Sequence, residues 1–244
     1  MKISCIIPAR YKSTRFPGKP LVEINGIPMI VRVANLCSKV IDKNQIFIAT
    51  DSKKISNTVE EYGYSTIFTS ENCLTGTDRV AEASQTLDTD LILNVQGDEP
   101  LINPDDILKI IEKKKANIDK VICGCSKISK AENPNDENIP KIIFNNSKKL
   151  IYASRSSIPG YKNKEFKPSD IYKQVCIYAF TKEQLKIFYE FDKKSYLESV
   201  EDIEILRFFE TNIEVTMCEL GKGSLAVDVP ADVAKVEEAL SKIE

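Results

Sequence analysis

Short apolar runs alternate with segments of helical period along the first half of the chain, and this alternation limits the folds open to it. Lys2–Ala9 (KISCIIPA), Gln45–Thr50 (QIFIAT), Ser65–Thr69 (STIFT), the run opening at Asp90 (DLILNVQGDEP) and Lys120–Ile128 (KVICGCSKI) read as strands. Amphipathic helices are expected between them, over 27–40, 53–63, 76–87 and 103–116. The first is entered through Asn25-Gly26 and places Ile27, Ile30, Ala34, Cys37 and Val40 at helical spacing. The second ends at Gly63, the third opens near Thr77 or Asp78, and the fourth carries Pro104 in its first turn. Such alternation implies a mostly parallel sheet with helices on both faces, a three-layer, Rossmann-like α/β fold. Ligands of these folds bind at the carboxyl ends of the strands.

From about Asn133 the texture changes to short strands between proline-rich turns. Gln174–Phe180 and Glu214–Leu220 read as further strands, 181–191 and 199–210 as helices. The tail sets Val233, Val236, Leu240 and Ile243 on one helical face. The expected organisation is one domain over 1–244 with an inserted lobe at approximately 133–215.

Net charge is −2, which argues against a broad nucleic-acid or membrane surface. The apolar part of the N-terminus is too short for a signal peptide, and no apolar run approaches the roughly 20 residues of a membrane span. A cytoplasmic protein is expected. Its 7 cysteines are scattered and read as reduced core thiols. The chain has no histidine, so Ser–His and Cys–His nucleophilic catalysis are excluded. A catalytic metal must take oxygen ligands, which favours magnesium or manganese.

Three polar motifs fall at expected strand ends: ARYKSTRFPGKP, Thr50-Asp51 and QGDEP. The first gathers Arg10, Lys12, Arg15 and Lys19 on a loop stiffened by Pro17 and Pro20, with Gly18 permitting close backbone approach. It reads either as a solvated basic turn or as a polyphosphate cradle. Neither the P-loop pattern nor the dinucleotide fingerprint is present. Asp98 is either a turn acid or a carboxylate that brings a divalent cation to phosphates. Asp228 supplies a second acid after another apolar run. Together with the basic loop, the two acids point to metal-assisted phosphoryl or nucleotidyl transfer. Arg155, between short strands, is either a surface ion pair or a grip for a carboxylate.

The motifs IIPARYKSTRFPGKPL, TGTDRVAEA, LNVQGDEPLI, IYASRSSIP, IYAF and AVDVPADVAKV occur in this order across almost the whole chain. In them the chain strongly resembles the 3-deoxy-manno-octulosonate (KDO) cytidylyltransferases, or CMP-KDO synthetases. The resemblance implies a nucleotidyltransferase-type fold and a homodimer, with the lobe serving the sugar and the dimer. It implies magnesium-dependent transfer of CMP from CTP to the anomeric hydroxyl of an acidic eight-carbon sugar, releasing pyrophosphate for lipopolysaccharide or surface-glycan synthesis. Carried over by motif, Ala9, Arg10, Ser13, Arg15, Lys19, Gly76, Asp78, Arg79 and Gln96 surround the nucleotide. Arg10, Lys19 and Asp98 act in catalysis, and Asp98 and Asp228 bind magnesium. Arg155, Gln174, Tyr178 and Glu204 face the sugar. Lys12 falls at an unassigned position.

The chain departs from the family pattern at Gln174, where the family usually has a histidine, and at Ile205, where it usually has a polar amide. Both positions belong to the sugar side, which leaves the acceptor open. KDO, its 8-amino form and a small acid such as a phosphonate are the alternatives, and a nucleotide-binding relative without catalysis is a competing reading. A sugar-nucleotide glycosyltransferase lacks a suitably placed DxD pair.

Overall fold

The computed structural model describes residues 1–12, 16–129, 132–160, 162, 170–221 and 225–242. In chain order the elements are β1 (Ile3–Ala9), β2 (Glu23–Ile24), β3 (Ile27–Pro28), α1 (Met29–Cys37), β4 (Ile46–Thr50), α2 (Lys53–Glu61), β5 (Ser65–Phe68) and α3 (Gly76–Ser84). There follow β6 (Leu91–Val95), α4 (Pro104–Lys115), β7 (Val121–Lys127), β8 (Lys141–Phe144), β9 (Leu150–Ser154) and β10 (Tyr172–Thr181). The last are α5 (Lys182–Glu190), α6 (Tyr196–Glu201), α7 (Ile205–Glu210), β11 (Val215–Glu219) and α8 (Ala231–Leu240).

Strand periodicity divides the core. Cys5, Ile7 and Ala9 of β1 point to one face and pack with α1, α2 and α4. Ile6 points to the other face and packs with α3, α5 and α7. This is the period-two rule applied to a strand buried on both sides. A third, smaller cluster of Ile24, Met29, Val227, Val236 and Leu240 docks the tail and α8 against the β2–β3 hairpin.

The sheet order is β11-β7-β10-β6-β1-β4-β5, with β8 and β9 attached beside β10. β1 pairs in parallel with β4 on one side and with β6 on the other. The chain steps outward from β1 to β4 and β5, then crosses back by α3 on the opposite face to β6. The crevice between the carboxyl ends of β1 and β6 is therefore a topological switch point, where open α/β sheets bind ligands.

Three details differ from the expectation. Asn25 and Gly26 have φ of 47° and 73° and form the two-residue turn of the β2–β3 hairpin, so α1 begins only at Met29. An Asn-Gly pair tolerates positive φ at both turn positions, and that favours the hairpin over direct helix entry. The stretch 199–210 is two helices, α6 and α7, because Asp202 adopts a left-handed conformation (φ 50°, ψ 47°). The stretch 133–215 also divides. β8 and β9 lie off the main strand path, whereas β10 runs antiparallel between β6 and β7 in the middle of the sheet.

Candidate active site

A cleft of about 670 Å³ opens over the switch point. Its floor is Pro8, Ala9 and Arg10 at the end of β1 and Gln96, Gly97 and Asp98 at the end of β6. The first turn of α3 forms one wall. The corner between α6 and α7, with Arg155 at the end of β9, forms another.

At one end, Lys19 Nζ donates to Asp98 Oδ2 at 2.7 Å and to the Val227 carbonyl at 3.0 Å, and lies 3.5 Å from Asp228 Oδ1. Gly18, at φ 72°, turns the chain into the 3-10 turn Lys19–Leu21 that carries this lysine, where a side chain would be strained. The tail is tied to the β6 turn because the Val227 N–H donates to the Asp98 carbonyl at 3.0 Å. Asp232 accepts from the Asp228 and Val229 N–H groups and braces the same turn. Three segments far apart in sequence thus bring one ammonium and two carboxylates together. Both carboxylates already face a cation, and hard oxygen donors of this kind can hold a divalent metal ion. Among the described residues no group of three or more His, Cys, Asp or Glu forms a fuller metal cage.

In the first turn of α3 the Gly76 and Thr77 N–H groups donate to Glu204 on the cleft wall. A Cβ at Gly76 would stand 2.9 Å from Gln96 Nε2, so glycine lets this turn approach the β6 end. Arg79, 3% exposed, lines the cleft, with Asp51 Oδ2 3.5 Å from its Nη2 and the Thr69 hydroxyl accepting from its Nη1. The Thr50-Asp51 motif therefore serves this arginine. Cys73 also lines the cleft, but burial and the neighbouring Glu82 carboxylate push its thiol up to about 12, which removes it as a nucleophile at neutral pH.

Asp78 was expected at the nucleotide but turns away from the main cleft. Its carboxylate pairs with Arg207 Nη1 at 2.6 Å, and Glu198 Oε2 takes Arg207 Nε at 2.6 Å. Arg207 is wholly buried, with its guanidinium 3.7 Å above the Phe188 ring. This triad joins α3, α6 and α7.

Of the residues expected at the sugar, Arg155 and Glu204 line the cleft, whereas Gln174 and Tyr178 do not. Arg155 lines the cleft, but its guanidinium donates to the carbonyls of Glu201 (2.6 Å), Glu137 (2.8 Å) and Asp202 (3.0 Å). Two of these are the open carbonyls at the end of α6, so Arg155 caps that end. Glu204 reaches the cleft wall and accepts from the Gly76 N–H (3.1 Å), the Thr77 N–H (2.8 Å) and the Thr77 hydroxyl. Burial raises its pKa, against the lowering effect of those donors. Gln174 Nε2 donates to the Tyr178 hydroxyl at 2.8 Å, and Tyr178 is 3% exposed in the core, so this pair lies behind the cleft lining. Ile205, the first residue of α7, is buried in the same apolar cluster as Tyr178.

Ala9, Arg10, Lys19, Gly76, Arg79, Gln96, Asp98, Arg155, Glu204 and Asp228 are gathered around one cleft. Ser13 and Arg15 lie outside the described residues. Lys12 pairs with Glu71 on the surface at 3.3 Å. The sequence reading missed Lys194 and Asp202, which line the cleft and pair at 2.6 Å. No local motif marks either residue.

A cytidylyltransferase family model matches residues 4–215. The chain belongs to the cytidylyltransferase family. This nucleotidyltransferase is 36% identical over 247 residues to the 8-amino-3,8-dideoxy-manno-octulosonate cytidylyltransferase of Shewanella pealeana, with 99% of each chain covered. It is similar to a solved CMP:2-keto-3-deoxy-manno-octonic acid synthetase complexed with CTP, with a TM-score of 0.91, 32% identity and 100% of both chains covered. A 4-diphosphocytidyl-2C-methyl-D-erythritol synthase from Anaerococcus prevotii shares the fold at a TM-score of 0.64 and 18% identity, with 98% of each chain covered. The sheet order and the switch-point cleft agree with the fold expected from the sequence. Among the described residues no helix is long and apolar enough to cross a membrane.

Proposed function

We propose that this cytidylyltransferase transfers CMP from CTP to the anomeric hydroxyl of 3-deoxy-manno-octulosonate or its 8-amino analogue. The observation that carries this reading is the convergence of Lys19, Asp98 and Asp228 in the cleft at the switch point. Full-length relatives named for these two sugars support the acceptor class.

In this reading the triphosphate lies over the β1 and β6 ends. The anomeric oxygen bonds to the α-phosphorus as the bond to the bridging oxygen of the β-phosphate breaks. The hydroxyl proton passes to solvent, and pyrophosphate leaves. Lys19 and Arg10 stabilise the charge developing on the α-phosphate and the departing pyrophosphate. Asp98 and Asp228 fit magnesium, which typically takes one or two carboxylates and fills its other positions with phosphate oxygens and water. A magnesium ion held by Asp98 and Asp228 would supply positive charge against the triphosphate. Gly76 and Gln96 shape the nucleotide pocket, with Arg79 held in place by Asp51 and Thr69. Asp78 and Tyr178 act from behind the cleft, as supports.

We place the reaction in the cytoplasm, in keeping with seven free cysteines. We also propose a homodimer, supported by exposed Ile151 on β9 and exposed Tyr196 and Val200 on one face of α6. Light scattering should give twice the chain mass, and a monomer throughout would remove that assignment.

The decisive assay measures pyrophosphate release with CTP, magnesium and each sugar, omitting one component at a time. Release should require all three. Release without an acid sugar, or none with either sugar, would overturn the reading. CTP binding without turnover on any acid would instead favour a non-catalytic binding protein.

A further inference from the structure

We infer that Lys194 binds the carboxylate of the acceptor, and that Asp202 occupies that carboxylate's place when no acceptor is bound. This rests on the acid-sugar reading above and names a residue for it.

Arg155 is the obvious cation for an acid sugar, yet its guanidinium is committed to three backbone carbonyls. Moving it would uncap the end of α6. Lys194 has no such commitment. Its ammonium lines the same cleft and is held by the Asp202 carboxylate at 2.6 Å. The side chains are 31% and 69% exposed, so the pair opens at little cost compared with a buried one.

The surroundings of Asp202 are those of an anion site. Arg155 Nη2 stands 3.8 Å from its Oδ2, and the charge of Arg10 also favours its ionised form. Arg10, Arg155 and Lys194 all line this part of the cleft. The facing carboxylates are Asp202 itself and Glu204, and Glu204 is already engaged by the first turn of α3. Two carboxylates among three cations, one of them turned to the first turn of α3, still leave a net positive site, which suits an entering carboxylate. The left-handed backbone at Asp202 breaks the helix here and places the residue on the cleft wall.

The test compares steady-state constants of Lys194→Met, Lys194→Arg and Asp202→Asn with those of the wild type, using 3-deoxy-manno-octulosonate and CTP. Lys194→Met should raise the acceptor KM about ten- to a hundredfold, the worth of a charge-assisted hydrogen bond. The CTP KM should stay unmoved, and Lys194→Arg should restore most of the acceptor affinity. Salt should raise the acceptor KM of the wild type more steeply than that of Lys194→Met. Asp202→Asn keeps a residue that tolerates the left-handed conformation and should lower the acceptor KM by removing the internal competitor. An unmoved acceptor KM in Lys194→Met overturns the inference alone. So does an acceptor KM that rises as far in Asp202→Asn as in Lys194→Met. No turnover of the acid sugars by the wild-type protein overturns the acid-sugar reading as well.

Discussion

The two ends of the cleft are built differently. At the end proposed for the phosphates, Lys19, Asp98 and Asp228 sit on strand ends and tight turns, stitched by the backbone bond from Val227 to Asp98. At the end proposed for the acceptor, Arg155, Lys194, Asp202 and Glu204 gather at a corner between two short helices, held largely by side chains. Lys19 is 17% exposed and its partner Asp98 30%, less than Lys194 and Asp202. Charges at the phosphate end are therefore less screened and less free to move. A triphosphate is the part that nucleotidyl transfers share, and a rigid site suits it. The acceptor varies, and a corner closed by exchangeable ion pairs can vary with it.

The largest effect should come from the buried anchor of the acceptor corner. Arg207→Met leaves Asp78 and Glu198 without their cation, and about 3–5 kcal/mol of stability should be lost in a denaturant titration. A loss below about 1 kcal/mol would mean that the corner does not depend on the triad. The phosphate end should respond in the opposite way. Lys19→Ala should lower CTP-dependent turnover by about 10²–10³-fold, as removal of one preorganised charge donor does, with only a small change in melting temperature. A large stability loss with near-normal turnover would reverse the contrast.

The smallest and sharpest test is pH. Burial raises the Glu204 pKa above its unfolded value, so the folded state binds the proton more tightly. Its stabilising contribution is full below the unfolded pKa and is lost as pH rises through the folded one. Asp202 has the opposite sign. The hydrogen bond from Lys194 lowers its pKa, so its contribution is present above the unfolded pKa and is lost as pH falls through the folded one. Glu204→Gln should remove the loss on the rising side and change stability by about 1 kcal/mol at neutral pH. Asp202→Asn should flatten only the acid side. Identical pH profiles for the two variants would show that the two acids of this corner are not distinguished as their contacts indicate.

Much of the phosphate end was legible in the sequence because its signals are local. A basic loop with Gly18 and two prolines follows one apolar run, QGDEP follows another, and VDVPAD follows a third. Each strand end carries its own chemistry, and the alternation of strand and helix places such ends along one sheet edge. The acceptor corner gave weaker signals. The pattern over 199–210 reads as one helix, and the left-handed turn at Asp202 has no glycine to announce it. Asp78 and Arg207 are 129 residues apart, and nothing near either one names the other as its partner.

The sequence by itself determined the α/β architecture, the absence of histidine chemistry and the sites of most phosphate-end charges. Periodicity and turn chemistry act over a few residues, so they can be read directly. Only the tertiary structure decided that Asp78 supports a buried arginine, that Arg155 caps a helix, and that Lys194 and Asp202 face the cleft. Those roles depend on which distant side chain satisfies each buried or converging charge, and only the folded packing sets that pairing.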